Sequence, residues 1–228
     1  MQDIDRYLRE LTEGCLAAFG ERLIYIGLQG SYLRGEATPE SDIDIMLVIE
    51  GLSPRDMDIY RELLKSLGHY GEACGFICGR EELRRWNPLE VCQLLHTTGD
   101  VYGKLAPLLP PADLRDEISY VKLSLGNIYH ELCHRYIHAD REKNISKLRQ
   151  TCKSLFFAVQ NLHFIESGEF ILTKRELKEK VSGKDRAVLL LSEPGSEPDF
   201  DEAFALLTEW IGEAFERTDK VSSKGEKL

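Results

Sequence analysis

The chain has 228 residues, 43 % apolar and 30 % charged, the make-up of a globular protein with core enough for one large domain or two small ones. Twenty-nine basic against 39 acidic side chains leave a formal charge of -10, which disfavours bulk binding to a polynucleotide backbone. No long apolar span, signal peptide or lipidation motif is visible, so a cytoplasmic protein with no membrane segment is expected.

Ile4, Leu8, Leu11, Cys15, Leu16 and Phe19 recur at helical spacing, and Gly20 can end that first helix. RLIYIGLQG follows as a short buried strand running into a turn. GSYLRGEA is too short and mixed for a strand and suits one or two helical turns. TPESD is punctuation, and DIDIMLVIE is a second strand. The next helix is announced by Ser53 as N-cap and Pro54 at its first position. EACGFICG has the pattern of a third strand, and REELRRWNPLEVCQLLHTTG that of a helix interrupted near Pro88. The six cysteines form no zinc-type pair of CxxC motifs and are expected as free thiols used as small hydrophobes.

KLAPLLPPADLRD concentrates three of the eight prolines, and everything beyond it has helical character. The expected organisation is an α/β domain over 1–108 and an all-α bundle over 109–228. Residues 219–228 lack an apolar period and are expected to be disordered. In the bundle, TKRELKEKV opens with a capping box from Thr173 to Glu176.

The densest chemistry lies between Leu28 and Val48. Asp42 and Asp44 sit two apart in an apolar run, and on a strand i and i+2 face the same way, about 6.5–7 Å apart. They would project together while Ile43, Ile45 and Leu47 face the core. Two carboxylates so placed are costly unless solvated on an edge strand or paired with divalent cations, and hard oxygen ligands suit Mg²⁺. Upstream, Gly30 lets the backbone approach an anion closely, and Ser31 offers a hydroxyl and an N–H. A phosphate cradle some ten residues before a carboxylate pair is what a nucleoside triphosphate needs.

GSYLRGEATPESDIDIMLV closely resembles the nucleotidyltransferase signature of the DNA polymerase β-like superfamily. The matching residues are Gly30, Ser31, Arg34, Gly35, Ser41, Asp42 and Asp44. The resemblance implies an α+β fold, a small mixed β-sheet with flanking helices followed by the helical bundle. It implies two Mg²⁺ ions on Asp42 and Asp44, Gly30 and Ser31 on the triphosphate of ATP or another nucleotide, and nucleoside monophosphate transfer with pyrophosphate release. Arg34 and Ser41 are candidate nucleotide contacts; Arg34 could instead pair with Glu36, and Ser41 could cap the turn into the strand. The family usually supplies a third carboxylate from a later strand. Here the candidate is Glu72, as metal ligand, as base for the acceptor hydroxyl or as a solvated strand-end residue, with Cys74 two residues on and on the same face.

The helical half resembles, more loosely, the substrate-binding domain of antibiotic nucleotidyltransferases that modify aminoglycosides or lincosamides. In LHFIESGEFILTKREL, Lys174 matches a lysine that reaches the triphosphate in that comparison. His130, His134 and His138 form one helical stripe, either lining an acceptor site or packed in a helix interface. Glu131, His134 and Trp86 are the candidate acceptor residues, and Trp210 is expected in the core. The expected partners are a nucleoside triphosphate and a small hydroxylated acceptor, and a homodimer is compatible with the sequence. The alternatives are nucleotide transfer onto a protein and a nucleotide-binding protein that has lost catalysis.

Overall fold

The computed structural model describes residues 3–138, 141–191, 193 and 199–225. It divides into two compact units, Met1–Ala112 and Asp113–Leu228.

The first unit opens with α1 (Ile4–Phe19), where Asp3 accepts the Arg6 N–H as N-cap and Tyr7, Leu11, Cys15 and Phe19 form a buried stripe at i, i+4 spacing. Strand β1 (Leu23–Leu28) leads into the five-residue α2 (Gly30–Arg34), which Gly35 closes in the left-handed conformation. Strand β2 (Ile43–Ile49) runs antiparallel to β1. Helix α3 (Pro54–Ser66) begins at a full capping box between Ser53 and Asp56 and carries the chain back to β3 (Ala73–Gly79), parallel to β2. A parallel pair needs such a crossover, because a tight turn reverses direction. After α4 (Arg80–Arg84) and α5 (Pro88–Thr97), broken at Asn87-Pro88 as the sequence suggests, β4 (Gly99–Tyr102) pairs antiparallel with β1. The mixed sheet has the order β3-β2-β1-β4.

Sequence periodicity did not reveal β4. Its four residues, Gly-Asp-Val-Tyr, are too few to show alternation, and only the free edge of β1 selects them. Central strand β2 is covered on both faces. Ile43, Ile45, Leu47 and Ile49 pack with α1, while Met46 and Val48 join Tyr25, Cys78, Leu83 and Leu105 on the other side. Of the two aspartates only Asp44 lies on β2, where it is half-buried, while Asp42 stands exposed just before the strand.

The second unit is all helical. Helices α6 (Leu114–His138), α7 (Arg141–Ser167), α8 (Lys174–Lys180), α9 (Gly183–Leu190) and α10 (Phe200–Gly225) enclose one core that includes Leu125, Leu132, Leu155, Leu162, Leu207 and Trp210. Thr173 caps α8 by accepting the Glu176 N–H. Trp210 is fully buried, as expected, and its indole N–H donates to Asp185 at 2.6 Å. Helix α10 corrects the expectation of a disordered tail: it continues to Gly225, because Thr218 is buried, Val221 packs on the core, and Asp219 pairs with Lys122 at 2.6 Å. Residues 226–228 of that tail lie outside the described residues.

Candidate active site

The turn from β1 into α2 and the start of β2 converge on Asp44. Gln29 donates its backbone N–H to the Asp44 carbonyl at 2.8 Å, closing the end of the β1–β2 ladder. Gly30 then turns with φ of 66°, and a Cβ built on it would fall 1.9 Å from Asp44 Oδ2. No other residue type fits, both because the conformation is left-handed and because the carboxylate already occupies the space. Opposite Asp44 on β3 stands Cys74, on the same face of the sheet, and its thiol acts on the titration of the carboxylate. Asp42 precedes β2 by one residue, with Ile43 N–H donating to the Glu72 carbonyl at 2.7 Å.

Burial pushes the Asp44 carboxyl above its ordinary range, and the neighbouring charge of Asp42 pushes it the same way; the Cys74 thiol and the charge of Arg34 act against them. The protein thus keeps a partly desolvated carboxylate beside a second one, at a cost that a divalent cation would offset. The donor set fits such an ion: two carboxylates with room for substrate oxygens are how Mg²⁺ is commonly held alongside phosphates. Among the described residues, no cluster of three His, Cys, Asp or Glu side chains is placed to hold a metal by itself.

The other candidates divide. Ser31 lies in the first turn of α2, its carbonyl accepting the Glu36 N–H at 2.9 Å. Arg34 makes an ion pair with Glu36 at 3.0 Å, one of the two roles weighed for it, and its charge also lowers the Asp44 pKa. Ser41 braces its turn, its hydroxyl accepting the Thr38 N–H at 2.8 Å. Glu72 sits just outside β3 with its carboxylate 3.8 Å from His69 Nδ1. Trp86 packs edge-on against Phe76 at 5.0 Å and donates to Glu90 at 2.6 Å.

In the helical unit, Lys174 opens α8, and its charge reaches Glu193, which Lys178 holds at 2.6 Å. His134 is flanked by His130 and His138, with ring centroids 6.3 and 4.8 Å away. Glu131 pairs with Arg135 and lines a cavity of about 320 Å³ between α6 and α7, together with Tyr120, Ser124, Asn127, Ser154 and Asn161.

One participant, Gln29, is not singled out by the sequence, and another, Cys74, is marked there only as sharing a face with Glu72. Gln29 carries the ladder bond to Asp44, and its side-chain amide donates to Thr98 Oγ1 at 2.8 Å, tying the turn to the residue before β4. Only its position next to Gly30 hinted at this. Cys74 was noted but grouped with the cysteines expected as small hydrophobes. Cys15, Cys78 and Cys92 are indeed buried, whereas Cys74 is exposed, because β3 is an edge strand and its outer end is uncovered. The Cys152 side chain lies outside the described residues.

A left-handed glycine packed on one carboxylate, with a second carboxylate two residues earlier, stands at one end of a mixed sheet between helices. Residues 8–86 match the family model of the nucleotidyltransferase domain. A Methanocaldococcus jannaschii protein, named provisionally as a protein adenylyltransferase, is 37 % identical over 60 residues, 26 % of this chain and 41 % of that protein. The matched stretch therefore spans less than half the length of that curated relative. The crystal structure of spectinomycin adenyltransferase AAD(9) from Enterococcus faecialis with ATP and spectinomycin shares the fold, with a TM-score of 0.58 at 15 % identity over 94 % of this chain and 99 % of that one. A toxin–antitoxin structure with AMP-PNP aligns at a TM-score of 0.31 and 23 % identity, covering 57 % of this chain and 92 % of that one.

Proposed function

We propose that the protein transfers a nucleoside monophosphate, AMP by preference, from a nucleoside triphosphate to a hydroxyl of a small-molecule acceptor, with release of pyrophosphate. The observation that carries this is the contact of Gly30 with Asp44: the residue that opens the turn is the one against which the carboxylate lies, so a polyphosphate on the Gly30-Ser31 backbone meets the carboxylate pair directly. In this reading Asp42 and Asp44 hold divalent cations, Mg²⁺ in the reference case, which supply charge neutralisation for the entering and leaving oxygens. Gly30 and Ser31 bind the phosphate tail through backbone N–H groups and the Ser31 hydroxyl. Arg34, kept in place by Glu36, offsets the negative charge gathered around Asp44. Ser41 positions Asp42 by fixing the turn before it. Lys174 is assigned to the triphosphate. Glu72 is assigned the acceptor proton, for which it must part from His69, an exposed partner at 3.8 Å.

The small-molecule acceptor is supported by the helical unit. The cavity lined by Ser124, Asn127, Glu131, Ser154 and Asn161 offers hydroxyl, amide and carboxylate groups within about 320 Å³, a volume suited to a compact ligand. It would hold a hydroxylated acceptor by hydrogen bonds, and a cationic group on it would compete with Arg135 for Glu131. His134 and Trp86 remain candidate acceptor contacts. Transfer of AMP from ATP to such a molecule is also what the name of the fold-sharing spectinomycin enzyme describes.

The second reading, transfer onto a protein, is favoured by the name of the archaeal relative. One experiment separates them: the four ribonucleoside triphosphates are offered with Mg²⁺ and an aminoglycoside and lincosamide panel while pyrophosphate release is followed, and co-purifying proteins are searched by mass spectrometry for added nucleotide. Release that depends on a panel compound supports the first reading, and AMP on protein side chains without such release supports the second. Neither product with any triphosphate overturns both.

A further inference from the structure

The side chain beside the carboxylate pair carries sulfur. Parallel pairing of β2 and β3 sets Cys74 opposite Asp44, and paired residues of adjacent strands leave the sheet on the same face. Gly75 follows with φ of 137°, where a Cβ would lie 2.0 Å from the Ile45 carbonyl oxygen. Only glycine fits there, so the pairing that sets Cys74 opposite Asp44 is fixed by the residue that follows it. Gly30 lies against the Asp44 carboxylate on one side, and Cys74 leaves the neighbouring strand opposite it on the same face. Glu72, the nearest acidic residue on that strand end, lies just before β3 with its carboxylate 3.8 Å from His69 Nδ1.

Carboxylate oxygens are hard donors that serve Mg²⁺ well, whereas a cysteine sulfur is soft and gives Mg²⁺ little. Zn²⁺ and Cd²⁺ gain much more from it, through thiolate bonds. We propose that Cys74 sets the metal preference of this site, giving the ion beside Asp44 a soft donor so that a thiophilic divalent cation of the zinc and cadmium class is held there more tightly than Mg²⁺. This rests on the proposed nucleotidyl transfer, which places an ion at Asp44. Cys74 is then a specificity-determining residue, and an aspartate in its place would return the position to Mg²⁺.

The test is a Cd²⁺ titration of the full chain with a non-hydrolysable triphosphate analogue present, read by the thiolate-to-cadmium charge-transfer absorption. Wild type, Cys74→Ser and Cys74→Asp are compared, with a melting curve of each to show that the exposed substitution leaves the fold intact. The wild type should develop the band, and both variants should lose it together with at least about tenfold in Cd²⁺ affinity. Cys74→Asp should also gain Mg²⁺ affinity, measured by displacement of Mn²⁺ followed by its paramagnetic resonance. A band that persists in Cys74→Ser, or Cd²⁺ and Mg²⁺ affinities that match the wild type in both variants, overturns the proposal. Because the readout is binding, a cadmium band at Cys74 with no pyrophosphate release on any acceptor would sink the proposed function and leave this assignment standing.

Discussion

The two units treat charge in opposite ways. In the helical unit, Arg217 makes paired contacts to both Glu166, at 2.7 and 2.6 Å, and Asp185, at 2.8 and 2.9 Å. These two acids, Glu166 foremost, raise the guanidinium pKa, and Asp185 also receives the Trp210 indole. Lys184 is likewise held by Glu209 and Glu213. Charges there are matched where they stand, and they tie α7, α9 and α10 together. In the N-terminal unit, burial and a neighbouring like charge raise the Asp44 pKa, and one thiol and one arginine answer them only in part. A protein gives up stability in this way at a site that binds something of opposite charge. The contrast separates a charge network matched on every side from a carboxylate pair left short of counter-charge.

The largest effect that could break this contrast is on turnover. Asp44→Asn and Asp42→Asn should each lower the rate of pyrophosphate release by roughly 10²–10³-fold, the scale seen when an electrostatic partner of a transition state is removed. Their melting temperatures should equal or exceed the wild-type value, since like-charge repulsion is relieved. A clear loss of thermal stability would mean that the aspartates serve the fold. Gly30→Ala should lose turnover on a similar scale, since both the backbone conformation and the Asp44 carboxylate exclude a methyl group.

Next in size is Arg217→Ala, expected to cost about 2–3 kcal/mol because it strands two carboxylates that share one cation. Chemical denaturation measures it, with Trp210 fluorescence as the local probe, since its indole bonds to one of those carboxylates. A change below about 0.5 kcal/mol would place this network with ordinary surface ion pairs.

Asp56 gives the pH-dependent prediction. Its pKa is lowered, foremost by the Ser53 hydroxyl and also by the Ser53 N–H and the charge of Arg22. With the folded pKa below the unfolded one, its contribution is present above the ordinary aspartate range and is lost as pH falls through the lowered value. Asp56→Asn should therefore melt earlier than wild type near pH 7, and the gap should close below about pH 4. A gap that widens on acidification would refute the assignment. The smallest effect is Thr173→Ala, which removes the cap of α8 and should cost about 1 kcal/mol by denaturant titration.

How much was legible varies by element. Helix α3 could be read from Ser53, Pro54 and the apolar period, because caps and periodicity are local properties. The carboxylate pair and the Gly-Ser turn were legible because their spacing is itself the chemical requirement. Strand β4 was not, since four residues carry no period and their strand character comes from β1. Tail residues 219–225 misled for a related reason: without an apolar repeat of their own, they are held by a lysine on α6 and by contacts around Thr218 and Val221. Glu72 and Cys74 show the limit most clearly. Both lie at the right distance along the chain to serve as the third group, and no local pattern tells which one faces Asp44.

By itself the sequence determined the helices, the order of the first three strands and the residues that could bind a triphosphate, because caps, alternation and short motifs act over a few neighbouring residues. Tertiary structure alone decided which residue of β3 stands opposite Asp44 and how far the Asp44 carboxylate is removed from water. Those outcomes depend on strand register and on desolvation, and both are properties of distant segments brought together.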